Sequence, residues 1–295
     1  MSIEVTQLHP LFVAEARGID LRQALGEAAV AELTAAIDRD AVLVFRGELL
    51  TEDQQLAFSM RFGSIAGQNG VLQTGVKRRV SDQLVDISNL DENNRVLGAM
   101  DRRRMFALGN QLWHTDSSFK RVPAKYSLLH AHAVTREGGE TQLADMRAAY
   151  DALPAKMKAR LDGLLAEHSI FHSRSKLGFT EFSAEERAAL PPVQHPVVRV
   201  HPGSRRKSLY LASHASHIVG WPVPDGRMLI AELIEHATQP RFVYTHVWAP
   251  GDLVMWDNRC TMHRGRPYDE AAHRRDLRRA TIDDPAAAAD TVRVA

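Results

Sequence analysis

One cysteine, Cys260, stands in 295 residues. That scarcity excludes an internal disulfide and every zinc or iron–sulfur site that needs several thiolates, and it fits a reducing cytoplasm. An excess of one charge is equally absent: 37 Lys and Arg against 36 Asp and Glu leave a formal net charge of +1. So even a balance gives no reason to expect nucleic acid or an anionic membrane as partner, and any functional positive charge must be local. No apolar run approaches the roughly 20 residues of a membrane span. The first residues, Met1 to Val5, lack the basic and apolar stretches of a signal peptide. No long-period repeat is visible, and low complexity is confined to the Ala-rich tail from Pro285 to Ala295. The expectation is a soluble, cytoplasmic protein that meets a small molecule, with no nucleic acid and no membrane as partner. A homo-oligomer stays open.

What is present is ordinary globular material, 44% hydrophobic and 25% charged. Val30, Leu33 and Ile37 fall at helical spacing before a short apolar strand, Ala41 to Phe45. Thr51 with Gln54 three residues on predicts a capping box opening a helix through Phe58 and Met60. The polar stretch 63–104 has weak periodicity, and a connection that long inside a compact protein reads as a lid. Two helical patterns adjoin between Asp145 and Glu167, broken at Pro154, and an irregular stretch follows from Ser173 to Pro196. Strand-like runs then dominate: Val197 to His201, Ser208 to Ala212, Phe242 to Trp248, Asp252 to Trp256 and Leu277 to Ile282. A helix from Gly226 to Thr238 carries Leu229, Ile230, Leu233, Ile234 and Ala237 on one face. Many short strands with a few outer helices predict a mainly β fold, an antiparallel sandwich or barrel. No linker is visible, so 1–295 reads as one domain.

Among 14 histidines, His114 is distinguished by its spacing to Asp116. In an extended segment residues i and i+2 share a face, so imidazole and carboxylate can converge on one ion. His263, beyond the strand-like run ending at Trp256, is the best third ligand. Two histidines and a carboxylate on one face of an octahedron leave open positions, which suits iron(II) oxygenases. A buried histidine bonded to a nearby aspartate is the bland alternative. Further along, strand periodicity puts Arg275, Leu277 and Arg279 on one face and Arg274, Asp276 and Arg278 on the other. Two guanidiniums facing inward call for anions, which a dicarboxylate cosubstrate and an acidic substrate would supply. A solvated basic edge strand is the alternative here.

His114-x-Asp116, the distant His263 and the Arg275/Arg279 pair together resemble the 2-oxoglutarate-dependent dioxygenases of the taurine and 2,4-dichlorophenoxyacetate type. The resemblance runs over nearly the whole chain. The segments Asn110 to Phe119, Asp145 to Pro154 and Trp256 to Arg259 look most like the herbicide-cleaving branch. It implies a double-stranded β-helix, a jelly roll with surrounding helices, and an enzyme using Fe(II), 2-oxoglutarate and O₂. His114, Asp116 and His263 match the iron ligands. Gly138-Gly139-Glu140-Thr141 matches a motif whose threonine, here Thr141, bonds the far carboxylate of 2-oxoglutarate. Arg275 matches the arginine on the same carboxylate. Relative to the taurine enzymes the spacing from His263 is one residue longer, which makes Arg274 a rival; strand parity with Arg279 favours Arg275. Arg279 matches the arginine that grips the substrate's acid group, and Asn110 a substrate-side asparagine. The implied reaction hydroxylates an aryloxyalkanoate next to its ether oxygen, giving a phenol and a 2-oxo acid alongside succinate and CO₂. Taurine, other sulfonates or alkyl sulfates are the runner-up substrates. A cupin-like metal-binding protein or zinc hydrolase is the rival from another class, for which Thr141 and Arg275 have no use. His201, His214 and His217 are read as structural or supporting residues, and Cys260 and Trp113 as core packing.

Overall fold

The computed structural model describes residues 3–67, 78–289 and 292–293. In chain order its strands are β1 (Glu4–Gln7), β2 (Ala14–Arg17), β3 (Val42–Phe45), β4 (Val85–Ser88), β5 (Ala124–Ala133), β6 (Thr141–Asp145), β7 (Leu165–His168), β8 (Val193–Pro196), β9 (Val198–Val200), β10 (Lys207–Leu209), β11 (Ala215–Ile218), β12 (Val243–His246), β13 (Leu253–Asp257), β14 (Thr261–Gly265), β15 (Asp276–Asp283) and β16 (Val292–Arg293). Seven of them form the larger sheet in the order β1-β2-β3-β13-β5-β15-β4. A smaller sheet has the order β12-β6-β14, and a lone bridge from His114 to His263 extends it past β14. From β4 the chain visits the two sheets by turns: β4, the His114 segment, β5, β6, then after an excursion β12, β13, β14 and β15. Only β6 and β12, neighbours in the smaller sheet, break the alternation. That path is a double-stranded β-helix, so the fold is mainly β with surrounding helices.

Burial explains the layers. On β5, Tyr126 and Leu128 face outward into a core shared with Leu33, Ile37, Leu56 and Phe58 of two helices, Glu27–Asp40 and Glu52–Met60. Leu129 and Ala131 face the opposite way, into the space between the sheets, with Leu143, Val254, Trp256 and Leu277. Both faces of the central strand are thus covered by apolar groups. The helix Glu52–Met60 starts as Thr51 and Gln54 predict, each side chain capping the other's backbone N–H. The helix Val223–Ala237 buries Leu229, Ile230, Leu233 and Ala237 against the third cluster of the core.

The structure differs from expectation in several places. Leu165–His168, read as helix, is strand β7 of a four-stranded sheet. The stretch expected to be irregular holds the helices Ile170–Ser175 and Ala184–Ala189 and strand β8. Helices of 6 residues are too short to show a 3.6-residue period, although Ser183 and Glu186 form a capping box. Within the stretch expected as a lid, residues 68–77 lie outside the described residues. Further on, Val85–Ser88 is β4, fixed to β15 by Arg79, whose Nη2 lies 2.7 Å from both Asp86 and Asp276. Among the described residues no helix is long and apolar enough to cross a membrane.

Candidate active site

His114 and His263 are fixed by backbone before their side chains are considered. The N–H of each donates to the carbonyl of the other, at 2.9 and 2.8 Å, and the ring centroids lie 4.1 Å apart. His114 sits in this single bridge rather than a full strand, and a turn begins at Asp116 with Ser117 at φ +54°. The carboxylate is therefore brought back by a turn, not by strand pleat alone. Asp116 Oδ1 lies 3.7 Å from His114 Nε2, and Oδ2 lies 3.6 Å from His263 Nε2. All three residues are buried, and one donor atom from each lies within 4.8 Å of the others.

The donor set suits a divalent ion. His114 Nδ1 lies 2.8 Å from the Leu112 carbonyl, which requires a proton on Nδ1 and turns Nε2 towards Asp116. Burial works to raise the Asp116 pKa, but Arg279, His263 and His114 outweigh it and hold the carboxyl well below the usual range. Burial, reinforced by His114, holds His263 well below the ordinary histidine value. A carboxylate beside a neutral His263 imidazole is the protonation state a metal needs. Asp116 Oδ2 accepts from Ser127 Oγ at 2.7 Å, and Ser127 in turn accepts from Asn258 Nδ2 at 2.9 Å. Asn258 Oδ1 takes Trp256 Nε1 at 3.1 Å and the Asp116 N–H at 3.2 Å. Trp256-Asp257-Asn258 thus orients the carboxylate from behind.

A second group, His201, Asp257 and Cys260, has comparable spacing, but its atoms are already used. His201 bonds Asp257 at 2.9 Å through Nε2 and accepts from the Ser204 N–H through Nδ1, while Arg259 forks onto the carboxylate. Cys260 is fully buried and packs between the sheets. Trp113 is half-buried and packs against the core cluster that holds Met262, with the Arg264 guanidinium 4.8 Å from its ring. His214 stands beside His114, with ring centroids 6.1 Å apart, and its Nδ1 lies 2.9 Å from Ser173 Oγ.

Asn110, His114, Thr141, His263, Arg275 and Arg279 all line one cleft of about 860 Å³, measured out to its open mouth. Gly138 and Gly139, both at φ +72°, turn the chain into Thr141. A Cβ on Gly138 would come within 2.4 Å of the Pro267 carbonyl. The Gly139 carbonyl accepts from Arg275 Nη2 at 3.1 Å, and the Ile87 carbonyl from Nη1 at 3.4 Å. Arg275 is buried, and among the described residues it has no carboxylate partner. Burial depresses its pKa, with only Tyr268 and Glu270 acting in the other direction. Arg279 faces the same cleft and donates from Nη1 to Asp116 Oδ1 at 2.6 Å, while its buried Nε has no partner among the described residues. Arg278, on the other face, pairs with Glu52 at 2.9 Å. Arg275, just ahead of β15, and Arg279 on it thus line one cleft.

Several lining residues were not expected from sequence: Ile87, Ala107, Leu129 and Trp256 give apolar walls, and Asn89, Arg104, Tyr268 and Glu270 give polar ones. Asn89 donates to the Glu270 and His273 carbonyls at 2.8 and 2.7 Å and accepts from the Arg275 N–H at 2.9 Å. It clamps the loop that leads into Arg275. Both acids of the cleft are already paired, Asp86 with Arg79 and Glu270 with Arg104.

The profile of the family described as taurine catabolism dioxygenase TauD, TfdA matches residues 4–281. The α-ketoglutarate-dependent 2,4-dichlorophenoxyacetate dioxygenase of Cupriavidus pinatubonensis is 51% identical over 286 residues, covering 97% of this chain and 99% of that protein. The (S)-phenoxypropionate/α-ketoglutarate dioxygenase of Sphingobium herbicidovorans is 36% identical, covering 97% and 96%. The crystal structure of AAD-2 in complex with Mn(II) and N-oxalylglycine superposes with a TM-score of 0.93 at 48% identity, covering 96% of this chain and 98% of that one.

Proposed function

We propose, for a chain that belongs to the taurine catabolism dioxygenase TauD, TfdA family, that its cleft hydroxylates phenoxyacetate-type acids at the carbon bearing the ether oxygen. The enzyme is a 2-oxoglutarate-dependent dioxygenase that uses Fe(II) and O₂. The reading takes 1–295 as one dioxygenase domain, working in the cytoplasm. His114, Asp116 and His263 hold the metal, and Arg275 with Thr141 holds the far carboxylate of 2-oxoglutarate. Bound iron and 2-oxoglutarate supply the activation of O₂, with 2-oxoglutarate leaving as succinate and CO₂.

Every other contribution comes from the chain itself. Arg279 presents a planar fork beside the metal-binding carboxylate, and it lines the cleft, where its guanidinium suits a substrate carboxylate. Asn110 stands on the substrate side. Ile87, Ala107, Leu129 and Trp256 offer the apolar surface on which an aromatic ring rests. A substrate gripped at its acid end and at its ring presents the intervening C–H to the metal face. The hydroxylated product is a hemiacetal, which collapses to a phenol and a 2-oxo acid.

The observation that carries this reading is the pair of inward guanidiniums, Arg275 and Arg279, in a cleft whose acids are already neutralised. An ammonium such as taurine's would find no free carboxylate among the described lining residues. The test is product analysis with Fe(II), 2-oxoglutarate and a panel of acids. Phenol release from phenoxyacetates at a kcat/KM well above that for sulfite release from taurine is expected. Sulfite at the higher efficiency, with no phenol from any aryloxy acid, would overturn the substrate assignment and leave the metal site standing.

A further inference from the structure

A threonine hydroxyl accepts at its lone pairs and donates a single proton, whereas an indole N–H only donates. Trp248 Nε1 lies 3.0 Å from Thr141 Oγ1, and both residues are buried. The contact therefore occupies a lone pair of Oγ1 and leaves the threonine proton unused. Among the described residues no protein acceptor takes that proton, and Thr141 lines the cleft with Arg275. We propose that Trp248 is a positioning residue for 2-oxoglutarate: by donating to Thr141 Oγ1 it turns the threonine O–H towards the far carboxylate. This rests on the assignment of Thr141 to that carboxylate.

The indole is placed and held for the task. His246 opposes Thr141 in the β12–β6 register, so Trp248, just past the strand end, reaches the same point. The His246 ring meets the indole edge-on at 4.5 Å. His246 Nε2 is tied to Asp252 Oδ2 at 3.1 Å, and that oxygen also takes Arg46 at 2.7 Å and the Ala249 N–H at 3.0 Å. Trp248 packs between the sheets with Leu143 and Val254. A donor clamped this way cannot swing aside when an anion arrives, so the hydroxyl is oriented before the ligand binds.

The experiment is calorimetric titration of 2-oxoglutarate into Mn(II)-loaded, oxygen-free enzyme, comparing Trp248→Phe, Thr141→Val and the double variant. Trp248→Phe is expected to weaken binding by about five- to tenfold, the worth of one well-made hydrogen bond. The double variant should bind no more weakly than Thr141→Val alone, since the indole acts through the hydroxyl. 2-Oxobutyrate, which lacks the far carboxylate, should bind wild type and Trp248→Phe alike, an equality that general loosening of the core would not preserve. Wild-type affinity in Trp248→Phe beside weakened Thr141→Val would overturn the proposal and spare the Thr141 assignment; independent, multiplying losses would do the same. Normal binding by Thr141→Val would overturn both. Should Trp248→Phe fail to fold, the benzothienyl analogue of tryptophan at position 248 keeps the shape, replaces N–H by sulfur, and decides the same comparison.

Discussion

Arg275 and Arg279 sit four residues apart, yet their surroundings differ. Among the described residues the Arg275 side chain hydrogen-bonds only carbonyls, while Arg279 already shares the Asp116 carboxylate. Arg275→Ala should raise the KM for 2-oxoglutarate by about tenfold or more, because a desolvated charge-assisted fork is lost. Arg279→Ala should act mainly on the KM of the primary substrate; steady-state kinetics with each ligand varied in turn separates the two. Loss of affinity for one and the same ligand in both variants would sink the division. Replacing His114, Asp116 or His263 by Ala should abolish turnover and weaken metal binding while the circular dichroism spectrum stays intact, since these side chains line a site rather than fill a core. His114 and Asp116 stood out by their spacing and Arg275 and Arg279 by periodicity, whereas Asn110 and Thr141 came only from the family resemblance. Asn89 and Trp248 were not, because their partners lie 186 and 107 residues away in sequence. No local pattern announces a bond of that reach.

Elements were legible where one face is buried and the other wet, as in the helices Glu27–Asp40 and Val223–Ala237. Strand β5 was missed because Ser127, His130 and His132 interrupt its apolar pattern. In the fold Ser127 meets Asp116 and Asn258, and His130 meets the Glu48 carbonyl and His132. Polar residues satisfied by tertiary partners hide a buried strand from periodicity. The short 3₁₀ turn Leu108–Gln111, which carries Asn110, shows how elements set the cleft. Gly109 packs directly on the buried Arg174, whose guanidinium also lies 4.2 Å from the Phe106 ring. A Cβ at Gly109 would fall 2.1 Å from Arg174 Nη1. Gly109→Ala should therefore displace the turn, costing about 1–3 kcal/mol of stability by overpacking. It should lower kcat/KM for the primary substrate severalfold and leave the 2-oxoglutarate KM nearly unchanged. A wild-type denaturation midpoint and wild-type kinetics would show that the turn does not depend on this contact.

At the scale of the molecule, buried neutral histidines set the acid limit. Burial, with Arg199 adding to it, depresses His195 to about 3, and its edge-on neighbour His168 is held well below 6.5 by burial and by His195. Between the folded and unfolded pKa values the unfolded chain binds the protons, so stability is full above about pH 6.5 and falls as the pH drops below it. Each such histidine contributes a slope of about 1.4 kcal/mol per pH unit. Denaturant titrations at pH 7.5, 6.0 and 5.0 should show stability declining as the pH falls, and His168→Leu should flatten the decline. A flat profile down to pH 5 would contradict the assignment. The reciprocal backbone bonds of His114 and His263 carry a different consequence. A pair of imidazoles locked as cross-strand neighbours is a jaw of fixed span, set by the sheet and not by whatever it grips. On the proposed assignment of these residues to the metal, such a jaw favours one range of ionic radius, so divalent ions of similar size should exchange in it without refolding.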